Sequence, residues 1–170
     1  MIVRRASEAD AADVQRVART AWRVDYPEVL NRENAAEAAT DWYDDATITQ
    51  AIERPDTRLY VASLGNEVVG FAHTYVGEDR GDVLRLYVAP GYRQQGVGTA
   101  LLDRAVTDLF EAGAEAVRAM VLTANDHGRA FYEDAGFELG TEDAETAIDG
   151  ETHAECRYRL DEAQWAAIEA

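Results

Sequence analysis

Between a β-prone run and an amphipathic stretch, the chain carries Arg93-Gln94-Gln95-Gly96-Val97-Gly98. Backbone N–H groups at a helix start have no intrahelical partner and sit at the positive end of the helix dipole, so such a loop can hold an anion. Glycine lets phosphate oxygens approach where a Cβ would collide. Arg93 adds a planar, permanently charged donor. A polyphosphate ligand would suit this chemistry, yet two familiar patterns are excluded. The dinucleotide fingerprint needs Gly or Ala where this chain has Leu101, and the Walker loop needs a lysine the sequence lacks. The plain alternative is a glycine-containing turn that merely starts a helix.

A second block, Asn125-Asp126-His127-Gly128-Arg129-Ala130-Phe131-Tyr132, leads into Glu133-Asp134-Ala135-Gly136-Phe137. Tyr132 carries a phenol whose reference pKa near 10 keeps its proton available at neutral pH. It is either a proton donor or a packed ring beside Phe131. His73 alternates with Phe71 and Tyr75 on one face of a strand, as a proton acceptor or a packed histidine. His153 and Cys156 lie three apart in a probable strand and so point to opposite faces, a poor metal pair. Nothing in the sequence calls for a metal.

The elements that must position these groups read as one α/β pattern. Ile2–Arg5 is strand-like, and Ser7 with Asp10 resembles a cap before the apolar stripe Val14, Val17, Ala18 and Ala21. A second helical stretch runs from about Arg32 to Glu53 and stops before Pro55, with an interruption around 41–45. Leu59–Leu64 and Glu67–Val76 flank Gly65-Asn66 as a hairpin. Val83–Ala89 closes at Pro90. Val97, Leu101, Ala105 and Leu109 share one face of a helix that stops near Gly113. Ala116–Leu122 follows as a strand, Asp126–Ala135 as a helix, Phe137–Leu139 and Arg157–Leu160 as strands, and Asp161–Ile168 as a terminal helix. Antiparallel strands followed by a βαβ crossover imply a mixed sheet with helices on both faces. The 170 residues suit one domain.

Charge narrows the classes further. The chain has 33 acidic and 16 basic residues, a formal charge of −17, and every basic residue is arginine. Without a basic stripe, neither nucleic acid nor an anionic membrane is an expected partner. The absence of lysine removes Schiff-base chemistry. No apolar run reaches the roughly 18 residues of a membrane span, and MIVRRASEAD lacks a secretory signal, so a cytoplasmic location is expected. One cysteine, Cys156, agrees with a reducing compartment. Acidity of this degree in a folded chain fits a halophilic archaeal cytoplasm, where about 1 M salt shrinks the Debye length to roughly 3 Å.

The strand, the R-Q-Q-G-V-G loop and the helix after it resemble the GNAT superfamily of acyl-CoA-dependent N-acetyltransferases. Their pyrophosphate motif Q/R-x-x-G-x-G/A is met by Arg93, Gly96 and Gly98. The Asn125–Phe137 block is similar to the family's N-x-x-A-x-x-F-Y-x-x-x-G-F pattern, with one extra residue before Ala130. The resemblance implies an α/β (α+β) GNAT fold with a mixed, mostly antiparallel sheet of about seven strands and a splayed fourth and fifth strand. It implies acetyl-CoA as cosubstrate and acetyl transfer to a primary amine on a small molecule or peptide by direct attack. Protein N-terminal acetylation and a non-catalytic CoA-sensing module are the alternatives. A homodimer is also suggested.

By the same resemblance Leu86, Tyr87 and Val88 would pair with pantetheine, and Val88 N–H would polarise the thioester carbonyl. The N–H groups of Gln94, Gln95, Gly96, Val97, Gly98 and Thr99 would hold the pyrophosphate. Asn125 would bind the cofactor arm, and Arg129 would either reach the nucleotide end or remain a solvated helix arginine. Tyr132 would protonate the departing thiolate. Many members place a glutamate base on the fourth strand, where this chain has Arg85; His73, Glu78, Asp79, Asp82 or a water chain are the candidates instead. Trp22, Tyr26, Trp42 and Tyr43 would line the acceptor pocket or pack a core.

Overall fold

The structure, a computed structural model of the chain, describes residues 1–25, 43–148 and 151–169. Strand β1 (Ile2–Arg5) leads through a 3-10 turn at Glu8–Asp10 into α1 (Ala11–Asp25). Asp10 sets that entry: its carboxylate accepts from the Ser7 N–H at 2.8 Å and from both Nη atoms of Arg4 at 2.8 and 2.9 Å. The Arg4 guanidinium holds the Asp10 carboxyl below the usual carboxylate range. Val14, Val17, Ala18 and Ala21 form the buried stripe of α1 that their spacing predicts.

Helix α2 (Asp45–Glu53) starts after Asp44, whose side chain accepts from Thr47 N–H at 2.8 Å. Tyr43 lies in a turn just before it, so the interruption expected around 41–45 falls at the cap. The part of that helical stretch from 32 to 42, with Trp42, and also Tyr26, lies outside the described residues. Next, β2 (Thr57–Leu64) and β3 (Glu67–Val76) make the hairpin at Gly65-Asn66. They are followed by β4 (Arg80–Val88), α3 (Val97–Glu111), β5 (Ala116–Leu122) and α4 (Asp126–Asp134). The long strands β6 (Glu138–Ile148) and β7 (Glu151–Asp161) precede α5 (Glu162–Glu169).

The seven strands form one sheet in the order β1-β2-β3-β4-β5-β7-β6, antiparallel except for β4 beside β5. The α/β architecture expected from the sequence is therefore present, with five α-helices among the described residues. On one face, α1 and α2 bury Trp22, Ile48, Leu59, Phe71 and Tyr87 in a common cluster. On the other face, α3 lays Val97, Leu101, Ala105 and Leu109 onto the sheet, all of them buried. Fully burying one such large aliphatic side chain contributes about 1.5–3 kcal/mol.

A split in the sheet positions the site. Strands β4 and β5 pair only from Arg80↔Ala116 to Val83↔Ala119. Beyond that point β4 stays with β3 as far as Gly70↔Val88, while β5 stays with β7 as far as Leu122↔Glu155. The register of β3 and β4 shifts between His73 and Thr74, leaving Leu84 as an extra residue in β4. Such a bulge bends its strand and increases its twist, so β4 turns away from β5 where the pairing stops.

Candidate active site

The gap between the diverging strands opens into a cavity of about 390 Å³. Leu86, Tyr87 and Val88 line it from β4, and Met120, Val121 and Leu122 from β5. Its polar backbone follows from ladder alternation. Ala89 N–H bonds to Val69 O at 2.8 Å, so Ala89 and Tyr87 are the residues that bond to β3. The N–H groups of Leu86 and Val88 must then face the opposite edge, where β5 has departed. Val88 O accepts from Arg93 Nε at 3.2 Å, which ties the loop to the strand end.

The loop itself is shaped by two left-handed residues, Gln94 at φ 61 and Gly96 at φ 81. Conformations of this kind gather successive N–H groups into an anion-binding concavity. The first backbone bond of α3 runs from Ala100 N–H to Gly96 O at 3.0 Å, so the amides of Val97, Gly98 and Thr99 precede the helical ladder. Gly98 lies where three elements meet. A Cβ there would come within 3.2 Å of the Phe131 ring of α4 and 3.6 Å of Val88 in β4.

Helix α4 closes the cavity. Asn125 is its N-cap, with Oδ1 accepting from Gly128 N–H at 2.9 Å, so part of its bonding capacity holds the helix itself. Tyr132 lines the cavity while only 5% exposed, packed edge-on to Phe131 and Phe137 with centroids 5.1 and 5.4 Å away. Burial pushes its phenol well above the ordinary value, so the proton stays on oxygen throughout the working range. The ring is thus packed on its edges and keeps its hydroxyl proton.

Of the residues singled out from sequence, Leu86, Tyr87, Val88, Arg93, Gln94, Gly96, Gly98, Thr99, Asn125 and Tyr132 line the cavity. The others do not. Gln95 is exposed, its amide directed to Gly91 O at 3.4 Å. The Val97 side chain is buried under α3. Arg129 donates from Nε to the Tyr158 hydroxyl at 3.3 Å, and that hydroxyl donates to Glu133 at 2.7 Å, so the arginine is held on the far side of α4.

His73 also lies off the cavity. It packs edge-on to Tyr43 at 6.0 Å, and burial, with the charge of Arg85, lowers its pKa to about 4. Asp82 is taken by Arg118, whose Nε and Nη2 donate to it at 2.9 and 3.3 Å. Glu78 and Asp79 are exposed and away from the lining. Four further titratable side chains that sequence reading did not offer as acids or bases do line it: Arg85 from β4, His127 and Asp134 from α4, and Glu155 from β7. Trp22 of α1 walls the same side, edge-on to Tyr87 at 6.3 Å, whereas Tyr43 packs on Phe71 at 5.0 Å in the core. Among the described residues no group of three His, Cys, Asp or Glu side chains is poised to hold a metal ion.

Comparison with known proteins agrees with this geometry. Residues 16–137 match the profile of the Acetyltransferase (GNAT) family. A mycothiol acetyltransferase of Propionibacterium freudenreichii is 36% identical over 109 residues, 62% of this chain; the match spans only 32% of that longer protein. A spermidine N(1)-acetyltransferase of Thermoplasma acidophilum is 25% identical over 150 residues, covering 86% of this chain and 93% of that one. Among solved structures, the PaiA N-acetyltransferase of Thermoplasma acidophilum in complex with coenzyme A superposes with a TM-score of 0.82 at 22% identity. It covers 94% of this chain and 98% of that one, a likeness of fold.

Proposed function

The chain belongs to the acetyltransferase (GNAT) family, and we propose on that footing that it moves acetyl from acetyl-CoA, its cosubstrate, to a primary amine by direct attack within a ternary complex. The observation that carries this reading is the continuous path from the split strands to the left-handed loop and on to Tyr132. Each station answers one chemical need.

The amides of the loop and the first turn of α3 receive the pyrophosphate, with Arg93 beside them. The outward amides of Leu86 and Val88 bond the pantetheine arm, and Val88 N–H donates to the thioester oxygen. A fixed donor there gains strength as that oxygen becomes negative, which lowers the barrier rather than merely tightening binding. Tyr132 gives its proton to the departing sulfur. The thiol reference pKa of about 8.5 lies below that of the phenol, so the transfer is coupled to bond breaking and is not driven on its own.

The acceptor enters from the α1 side, between Trp22 and β7. A small amine suits a walled cavity of about 390 Å³ that is shared with the cofactor end, and the spermidine acetyltransferase relative makes polyamines the first compounds to try. Among the described residues no helix is long and apolar enough to cross a membrane. The remaining parts of the reading are a cytoplasmic homodimer, a single domain over the whole chain, and an acidic surface suited to high salt, supported by the charge of −17.

The test is thiol release from acetyl-CoA against a panel of amines that includes spermidine, simple alkylamines and a peptide with a free N-terminus. Amine-dependent release is expected. A protein that binds CoA and releases none with any of them would be a sensing module instead.

A further inference from the structure

The fourth strand offers no carboxylate at the split, because Arg85 stands there and a guanidinium cannot accept a proton. Across the gap, however, β7 brings Glu155 level with Leu122 at the end of β5. Residues paired in this way point to the same side of the sheet. Leu122 packs in the cluster of Trp22 and Tyr87, so Glu155 faces the acceptor side of the cavity and not the side of α3. Its neighbour Cys156 points the other way, into the cluster of Tyr132 and Tyr158. Glu155 is only 7% exposed and lines the same cavity as Val88 and Tyr132. We propose that Glu155 is the general base that deprotonates the acceptor ammonium. The assignment rests on the acetyl-transfer reading above.

The proton balance closes with these two groups. The ammonium gives one proton to the Glu155 carboxylate, which passes it to water, and the freed lone pair forms the C–N bond to the acetyl carbon. The second proton, acidic once nitrogen is bonded to carbon, leaves as the C–S bond breaks, while Tyr132 protonates the sulfur. That second proton returns to the Tyr132 oxygen. The products are the acetamide, the CoA thiol and one proton in solvent.

The surroundings suit the task. Burial raises the Glu155 pKa above that of an ordinary glutamate, and Arg85 from β4 and Arg157 from its own strand partly offset this. The carboxyl is then a stronger base than a surface glutamate. The other titratable groups of the cavity are Tyr87 of β4, Arg93 of the loop, and His127, Tyr132 and Asp134 of α4, with Trp22 of α1 and Met120 and Leu122 of β5 among its uncharged walls.

The experiment compares wild type with Glu155→Gln, using the fastest acceptor of the amine panel, from pH 6 to 10. At pH 7 kcat is expected to fall about 100-fold or more, with CoA affinity unchanged. The deficit should shrink as pH approaches the pKa of the amine, because a free amine needs no base, and Glu155→Asp should restore part of the rate. An unchanged kcat, a change confined to the amine KM, or a deficit of the same size at every pH would overturn the assignment. If Glu155→Gln does not fold, the acidic limb of the wild-type kcat decides. An apparent pKa above the ordinary 4.3 of glutamate is expected, and a flat profile down to pH 4 would overturn it. Wild type that releases no thiol would overturn the acetyl-transfer reading itself, whereas activity retained in Glu155→Gln would overturn only the base.

Discussion

The two sides of the cavity are built from different materials. The side facing α3 is made largely of backbone, the outward amides of β4, two left-handed residues and the first turn of α3, all within Leu86–Thr99, with Tyr132 of α4 closing its end. The side facing α1 is made of side chains drawn from distant parts of the chain, Trp22, Arg85 and Glu155. A backbone site holds its geometry whatever the side chains do, and it suits a ligand that never varies. Side chains can be exchanged one at a time, so the acceptor side is where one fold can change its substrate. The contrast also concerns charge. In a chain of net charge −17, amides and a helix terminus can bind an anion without adding a lysine anywhere.

Substitutions can break this contrast. The largest effect is expected from Tyr132→Phe, which keeps the ring packing against Phe131 and Phe137 and removes only the proton. Steady-state assays should show kcat lower by 10²–10⁴-fold, about 3–5 kcal/mol of barrier, with CoA affinity within about twofold of wild type. Unchanged turnover would reduce Tyr132 to packing.

The core behind the α1 side should also respond to pH, through His73, which lies off the cavity against Tyr43. Its folded pKa is lowered to about 4, against an ordinary 6.5, by burial and then by the charge of Arg85. Unfolded chains therefore bind the proton first as pH falls. Stability is complete above pH 6.5 and declines towards pH 4, by about 3 kcal/mol in all for a shift of this order. Melting temperature measured over that range should drop, and His73→Phe should flatten the slope. An equal slope in the variant would place the titrating group elsewhere.

A smaller loss is expected from Gly96→Val. Its φ of 81 costs a β-branched residue about 1–2 kcal/mol, and since a Cβ there meets no atom within 4 Å the effect is that of the loop backbone alone. The KM for acetyl-CoA should rise about 10-fold while the amine KM stays put, which kinetics with each substrate varied in turn will read. An increase in both would mean that the two sides are not independent. The smallest effect is that of salt. CoA affinity should improve a few-fold from low KCl upward as long-range repulsion is screened, and melting temperature should rise with it. Affinity that falls steadily from low salt would contradict the acidic-surface reading.

The two sides also differ in how far the sequence reveals them. Arg93, Gly96 and Gly98 lie within six residues of one another, flanked by a strand and a helix whose periodicities are local, so their grouping needs no tertiary information. Ala116–Leu122 is legible for the same reason. The stretch Thr141–Glu155, by contrast, has no apolar alternation to announce a strand. Its described residues belong to two strands, the end of β6 and the start of β7, because β7 pairs along the whole of β5 and β6 pairs with β7. Glu155 consequently reads as one acid among 33 until that register is known. His73 shows the converse: its residue type suggests a base or a packed ring, and in the structure it packs against Tyr43, off the cavity, where burial lowers its pKa. Arg129 reads from its motif as a nucleotide contact or a solvated arginine, and in the structure it donates to Tyr158, 29 residues away.

The backbone-built cofactor side is tested most directly by amide chemical shifts of the 15N-labelled protein titrated with CoA. The largest changes should fall on Leu86, Val88 and the amides from Gln94 to Thr99, with lesser ones along Asn125–Tyr132 and little beyond Trp22 on the α1 side. Shifts concentrated on α1, α2 or the outer strands, with the Gln94–Thr99 amides unmoved, would contradict it.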